Sequence, residues 1–478
     1  MHHSRIPRAP KRNAPARGFS TPTEADAAMA NPVVTTRILR RLLESGVQSR
    51  TERLLARIHP ADLGPLLADL TPDEIRSVID LLFAQHRAAS MLAELPRELL
   101  PQIFAAIPNR RLAELLARLE IDDMLLLVEH LPDGQREGVF ECLPASKRTE
   151  LHNAELYAPE SAGRAMTTHF IALAPSMCAQ EAIDTIRAAG DSRDAIFYLY
   201  VVDEEERLIG VVPIRRLVSS PPDTTIQDMM TRQSISVAAE ADREEAAKLV
   251  ARYDLLAIPV TDADGRMLGI ITVDDVIDVI TEEATEDIYH LAGLSEEDRV
   301  FTSPQISIRK RLPWMLLNLG TAFTAASVVG LFESTLDQLV SLAIFLPVVA
   351  GMGGNGGIQT LTVITRSIAL GEIEFSSGLR AVGKEMFVGL MIGLVAGILS
   401  GIIAYLWQGN PVLGLVLLLA MLITMTVASL LGAAVPLLLK TFGKDPALGA
   451  GVLVTFCTDA LGFFSFLGIA TFFLQELV

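Results

Sequence analysis

A chain of 478 residues is too long for one ordinary domain and suggests about three. Its formal charge of −17 is concentrated between Glu160 and Arg299, where 28 acidic side chains face 12 basic ones. Such an anion-rich surface repels nucleic acid and suits cations. The three cysteines, Cys142, Cys178 and Cys457, lack the paired spacing of a disulfide framework or a thiolate metal site.

Residues 1–32 are rich in Pro, Ala, Arg and Ser and hold no apolar run able to act as a signal peptide. They read as a disordered basic arm on the cytoplasmic side, with a transient membrane-surface contact as the alternative. Over 33–156, apolar residues recur three and four apart, the spacing of amphipathic helices. Breaks at Leu95-Pro96, Ile107-Pro108, Leu131-Pro132 and Leu143-Pro144 cut this segment into short helices, because proline ends one helix and suits the first turn of the next. An all-α superhelical stack is expected, its hand undetermined by periodicity. Asp122-Asp123 within it is either a solvated corner or part of a cation site.

Residues 157–280 contain an internal repeat, with copies at about 160–222 and 223–280. Ala165-Met166-Thr167 and Ile171-Ala172-Leu173 return as Met229-Met230-Thr231 and Ile235-Ser236-Val237. The stretch from Val202-Asp203 through Arg207 to Val212 returns from Val260 through Asp262 and Arg266 to Ile271, the first copy carrying about five extra residues. Each copy reads as strand, helix, paired strands across a polar turn, then helix, an α/β pattern. This repeat resembles a tandem pair of CBS modules. In that family a Thr-x-x-Asp motif after the last strand often holds an adenosine ribose. The resemblance therefore implies an ATP or other adenine-nucleotide site at Thr272 and Asp275. Pro213 and Arg216 stand at those places in the first copy, so at most one such site is implied. The alternative is a purely structural module.

The acidic run continues through Asp274, Asp275, Asp278, Glu282, Glu283, Glu286 and Asp287. On a helix, 275, 278, 282 and 286 share one face, and 283 and 287 an adjoining one. Crowded carboxylates repel one another unless cations offset them. A solvated helix face normally interleaves Lys or Arg at i+4, and none occurs from Asp274 to His290. Divalent-cation binding is favoured over a solvated face. The candidate regulatory ligands are Asp122, Asp123, Asp254, Asp274, Asp278, Glu282, Glu283, Glu286 and Asp287.

After Arg309-Lys310-Arg311 the composition turns apolar. Five spans are expected at about Pro313–Phe332, Leu336–Thr360, Met386–Trp407, Val412–Leu439 and Ala447–Leu474, each able to cross a core that needs about 20 residues. Arg309, Lys310, Arg311, Arg366, Arg380, Lys384, Lys440 and Lys444 all fall on one side, and the opposite loops carry no Lys or Arg. That asymmetry predicts a multi-pass protein of the inner or plasma membrane, with the N-terminal domains cytoplasmic and the C-terminus outside. The second span holds Gly351-Met-Gly-Gly-Asn-Gly-Gly-Ile-Gln-Thr360, where dense glycine weakens a helix and lets backbones approach closely. Small-residue helix packing is one reading; a polar pathway lined by Gly353, Gly354, Asn355 and Gln359 is the favoured one. Within the five spans one acidic residue stands out, Asp459 in the fifth, flanked by the oxygens of Thr455 and Thr458. A charge there costs about 3 kcal/mol or more on insertion scales, so it needs a partner, a proton or a cation.

Together these stretches resemble the MgtE family of magnesium channels over nearly everything after the arm. The carriers are the Gly351–Thr360 string with Arg366, Asp445-Pro446-Ala447, and Thr458-Asp459-Ala460-Leu461-Gly462. Ile358 departs from the polar or small residue usual there, and Gly356-Gly357 from the more usual Ala-Gly. The resemblance implies a multidomain chain: an all-α cytosolic N-terminal domain, the CBS pair, a connecting helix over 281–311 that plugs the pore, and an all-α membrane domain over 312–478. It also implies a homodimer in the lipid bilayer, one central pore built from the second and fifth spans, and Mg2+ as both cargo and regulator. The expected activity is passage of Mg2+ into the cytoplasm, closed when Mg2+ binds the acidic interfaces, with no enzymatic step. The alternatives are a carrier of Co2+ or Mn2+ and a nucleotide-sensing solute transporter.

Overall fold

The computed structural model describes residues 32–45, 48–59, 62–67, 70–84, 88–93, 95, 97–189, 197–232, 234–294, 298, 304–373 and 375–477. The expected basic arm lies outside the described residues except for Pro32. The chain forms two compact units. One holds the described residues up to Asp242 together with Ala257–Thr272; the other holds Arg243–Leu256 and the described residues from Val273 onward.

The first unit opens with short helices: α1 Pro32–Glu44, α2 Gln48–Leu55, α3 Leu63–Leu67, α4 Pro72–Ala84, α5 Ala88–Ala93, α6 Leu100–Ala106, α7 Asn109–Leu116, α8 Ile121–Glu129, α9 Asp133–Cys142 and α10 Ala145–Glu155. Pro108, Pro132 and Pro144 take extended conformations just before α7, α9 and α10, as the sequence breaks predict. Thr71 starts α4 with a reciprocal cap, its backbone N–H donating to Glu74 at 2.8 Å while Glu74 N–H donates to the Thr71 hydroxyl at 3.4 Å. One apolar core, including Leu39, Leu55, Leu100, Phe104, Leu112 and Met124, runs through the whole stack.

The repeat follows. After α11 (Ala162–Ala165), the first copy contains β1 Ala172–Leu173, α12 Ala179–Ala189, β2 Tyr198–Val202, β3 Leu208–Pro213 and α13 Ile214–Ser219. After α14 (Ile226–Met229), the second contains β4 Val237–Ala238, α15 Arg243–Tyr253, β5 Ala257–Thr261, β6 Met267–Thr272 and α16 Val273–Leu291. Both sheets run parallel then antiparallel, β1-β2-β3 and β4-β5-β6, with a register shift at the same step, Val201/Val202 and Val260/Thr261. The five extra residues fall between α12 and β2, where 190–196 are outside the described residues. Asp203 and Asp262 close equivalent polar turns, each accepting two backbone N–H bonds at 2.8–2.9 Å.

Among the described residues of the second unit, five helices are long and apolar enough to cross a membrane. They are α17 Pro304–Gly330, then, after the short α18 (Glu333–Gln338), α19 Ser341–Ala369, α20 Phe375–Gln408, α21 Pro411–Thr441 and α22 Ala450–Phe472, before a final turn α23 (Leu474–Leu477). The tightest packing joins α20 to α21. Gly389, Gly393, Gly397 and Gly401 recur every fourth residue along one stripe of α20. A Cβ on them would stand 2.6 Å from the Met425 carbonyl oxygen, 3.0 Å from that of Met421, 2.9 Å from that of Leu418 and 2.7 Å from that of Gly414. Backbone therefore lies on backbone over a rise of about 18 Å.

Glycine does not break α19, which stays helical through Gly351–Gly357. Gly353, Gly356 and Gly357 lie against side chains of α21 and α22, and the Gly357 carbonyl oxygen approaches Gly432. Helical hydrogen bonds satisfy the backbone where no water is available, and the missing side chains let the neighbours close in.

Filling the α20 stripe should therefore destabilise the bundle. Gly397→Val is expected to cost about 1–3 kcal/mol by overpacking, seen as a lower melting temperature of the detergent-solubilised protein. Gly383→Ala, with nothing within 4 Å of the new methyl, should melt like the parent. Equal melting of all three proteins would remove the stripe from the account.

Candidate functional site

The glycines of α19 divide its surface. Gly353, Gly356, Gly357 and Thr360 face the bundle and are buried; Gly351, Asn355, Ile358 and Gln359 lie on the open side. Of the two sequence readings, close packing thus describes one face and the polar stripe the other. The contact with α22 is set by the same glycines. A Cβ at Gly353 would lie 3.8 Å from the Thr458 carbonyl oxygen, and one at Gly357 would lie 3.3 Å from the Thr458 methyl. Thr458 is buried, and its hydroxyl donates to the Thr455 carbonyl at 2.9 Å, so it is spent within its own helix. Thr455 is exposed and Asp459 half-buried. Asp459 makes no hydrogen bond or ion pair among the described residues. Gly354 is only partly buried, and a Cβ on it would meet no neighbouring helix within 4 Å among the described residues.

The acidic run forms α16, with Asp274 and Asp275 in its first turn, where the helix dipole favours negative charge. Asp274 and Asp278 are exposed; Glu282, Glu283, Glu286 and Asp287 are half-buried. The cation missing from the run itself comes from α15. Arg243 reaches Glu282 at 2.9 Å and Glu283 at 3.1 Å with a mostly buried side chain. No spacing rule signals this pair, because the partners sit on separate helices.

One turn further on, the environment changes. His290 Nδ1 lies 2.7 Å from Asp445 in the loop between α21 and α22, and Nε2 lies 3.6 Å from Glu286. Burial pushes the Asp287 carboxyl above the usual carboxylate range, and the negative charges of Asp445 and Glu244 add to the shift against His290 and Arg366. Holding Asp287 ionised at neutral pH therefore costs stability that a bound cation would offset. Beyond these groups α16 ends against the membrane helices. The Leu291 carbonyl oxygen lies where a Cβ on Gly451 of α22 would come within 2.5 Å, and Ile358 of α19 is 3.6 Å from the same point. Asp298 then anchors the start of α17, accepting from Ser307 at 2.6 Å and Arg311 at 2.5 Å. The Arg311 hydrogen bond, followed by that of Ser307, draws its carboxyl below the usual range. Of the segment expected as one connecting helix over 281–311, residues 281–291 belong to the second half of α16 and 304–311 to the first two turns of α17, while 295–297 and 299–303 lie outside the described residues.

The other sequence candidates lie elsewhere. Asp122 and Asp123 occupy the first turn of α8, both half-buried. Just before them, His169 and the Thr167 hydroxyl hold the Glu120 carboxyl below its ordinary range. Asp254 is exposed and adopts φ +52° at the end of α15, where Leu255 N–H donates to the Val250 carbonyl at 3.1 Å. That is the geometry of a left-handed helix cap, which Asp tolerates better than most side chains. Thr272 is the buried last residue of β6, and Asp275 follows in α16.

A helical domain, a pair of small α/β modules and five helices able to cross a membrane, the last bearing a carboxylate with no partner among the described residues, fit a polytopic ion transporter. Residues 346–469 match the MgtE model, described as a divalent cation transporter; 58–160 match the MgtE intracellular N domain; 162–223 and 226–282 each match the CBS domain. The chain is 34% identical over 442 residues to the magnesium transporter MgtE of Thermus thermophilus, covering 91% of this chain and 98% of that protein. It is 31% identical over 427 residues to the magnesium transporter MgtE of Bacillus subtilis, covering 87% and 95% respectively. Among solved structures it is similar to the cytosolic domain of the Mg2+ channel MgtE in complex with ATP, at 32% identity over 51% of this chain and 99% of that one, with a TM-score of 0.49. The chain belongs to the MgtE family.

Proposed function

We propose that the protein is a Mg2+-selective channel that passes Mg2+ into the cytoplasm down its electrochemical gradient. The observation that carries this reading is Asp459, a carboxylate in a membrane-crossing helix with no partner among the described residues. Mg2+ gives up its waters reluctantly, so a carboxylate can recognise the hydrated ion through them. The membrane potential supplies about 2.3 kcal/mol per charge per 100 mV, doubled for a divalent ion.

A homodimer follows from the open side of α19. In a single copy Asn355 and Gln359 would meet lipid, where unsatisfied polar groups are costly. A second copy turns that face into a lined path, with one Asp459 from each subunit. The Lys and Arg distribution supports cytoplasmic N-terminal domains and an outer C-terminus.

Gating follows from the charges around the end of α16. Glu286, Asp287 and Asp445 crowd together beside the start of α22. A divalent cation there neutralises them and holds α16 on the membrane helices, favouring the closed state. When internal Mg2+ falls, repulsion loosens that contact. The cation shifts the equilibrium only by its difference in affinity between the two states. Thr272 and Asp275 keep the motif for an adenosine ribose, which supports ATP or another adenine nucleotide as a ligand of the second CBS copy.

Three outcomes test these assignments. Asp459→Ala in liposomes should keep its melting temperature yet lose Mg2+ uptake by about tenfold or more, with Asp459→Asn retaining part; parental uptake in the Ala variant would exclude Asp459 from the path. In membrane patches, Glu286→Gln/Asp287→Asn, which spares both ion pairs of Arg243, should weaken inhibition by internal Mg2+; superimposable inhibition curves would place the sensor elsewhere. Calorimetry with ATP and AMP should detect binding to the parent and weaker binding to Asp275→Ala, whereas no binding to the parent would leave the CBS pair purely structural.

A further inference from the structure

Asp459 is not the only carboxylate inside the membrane helices. Glu385 lies within α20 and is only 5% exposed. A span counted from Met386 leaves it outside; the helix runs straight through it. Its Oε1 accepts from Lys384 Nζ at 2.5 Å and its Oε2 from the Thr360 hydroxyl at 3.4 Å. Thr360 lies in turn 3.5 Å from the Ser429 hydroxyl of α21. Thr360 and Ser429 are both buried, so three membrane helices meet at one polar point.

The location of that point matters for α19. On the bundle side, Gly353, Gly356 and Gly357 offer no side chain to hold the helix in one rotation about its axis. Thr360 is the first side chain after them on that face, and it directly follows Gln359. Glu385 and Ser429 belong to the pair of helices locked together by the glycine stripe, Gly389 of that stripe lying one turn beyond Glu385 against Ser429. Burying a carboxylate is costly, and a well-packed apolar residue of similar volume would often be more stable. A role in fixing geometry accounts for its presence where stability alone does not.

We infer that Glu385 is a positioning residue for the ion pathway: by holding Thr360 against α20 and α21 it sets the rotation of α19, and so the direction in which Asn355 and Gln359 point. The inference rests on the reading of α19 and α22 as the path, and it adds a residue that does not touch the ion. Lys384 neutralises the carboxylate from the membrane edge, and Thr360 carries its effect to the path.

The test uses the full-length protein with Cys142, Cys178 and Cys457 replaced by Ser. Single cysteines are placed at Gln359 or Ile358, and the rate of modification by a charged methanethiosulfonate reagent is measured at each. In Glu385→Ala and in Thr360→Val, the ratio of the two rates should change by about threefold or more. The ratio of Mg2+ to Co2+ uptake in liposomes should shift in the same two variants on the otherwise unmodified chain. Glu385→Gln keeps an oxygen that can accept from Thr360 and should restore both ratios toward the parent. Thr360→Val preserves shape and removes only the donor, so it carries the test if Glu385→Ala fails to fold. Parental ratios in Thr360→Val would overturn the inference. The modification rates need no conduction, so a failure of the pathway reading, seen as parental uptake by Asp459→Ala, is distinguishable from a failure of this one.

Discussion

Backbone contact between α20 and α21 is the constraint on which the rest of the membrane unit depends. Lipid offers no hydrophobic drive for helices to associate, so close packing and buried hydrogen bonds must do it. The four glycines of α20 make that approach, and they leave a rigid pair against which other helices can be placed. α19 is then set by three glycines of its own and by Thr360 on Glu385 and Ser429. α22 is set by the contact of Thr458 with Gly353 and Gly357. Asp459 owes its position to this chain of contacts, since it makes no hydrogen bond or ion pair among the described residues.

The acidic helix obeys a different physics. Its carboxylates divide into a pair compensated by Arg243 and a group near Asp445, where His290 lies against Asp445 and Glu286. The first pair ties α16 to α15; the second lies where α16 meets the start of α22. This division separates charges that hold a helix in place from the charges that the proposed gating assigns to a cation. It also explains why net charge alone is a poor guide to a sensor: the count of carboxylates is similar in both places, and the neighbouring cation decides their cost.

The CBS-like repeat shows how a local pattern becomes architecture. Its strand–helix–strand–strand order was legible because turn residues and alternating apolar positions recur at matching offsets, and both sheets carry the same register shift. The helical domain was legible for a similar reason, since the breaks at Pro108, Pro132 and Pro144 coincide with extended residues before the next helix. The expectation of a loosened backbone at Gly351–Gly357 did not survive. Propensity in isolation counts the missing side chains as a loss, whereas in a bundle the same absence lets α21 and α22 pack close enough to hold the helix.

The sequence by itself determined the order of domains, the repeat, the number of membrane helices and the presence of a carboxylate in the last of them. These follow from periodicity and composition, which report local geometry and the preference of each face for water or hydrocarbon. Tertiary structure alone decided which glycines pack and which stay open, that Arg243 answers Glu282 and Glu283, that His290 meets Asp445, and that Glu385 is buried. Each of those depends on how far one helix is rotated about its axis against another. Spacing along a single chain segment carries no information on that angle, because it is fixed only when side chains from distant segments compete for the same volume.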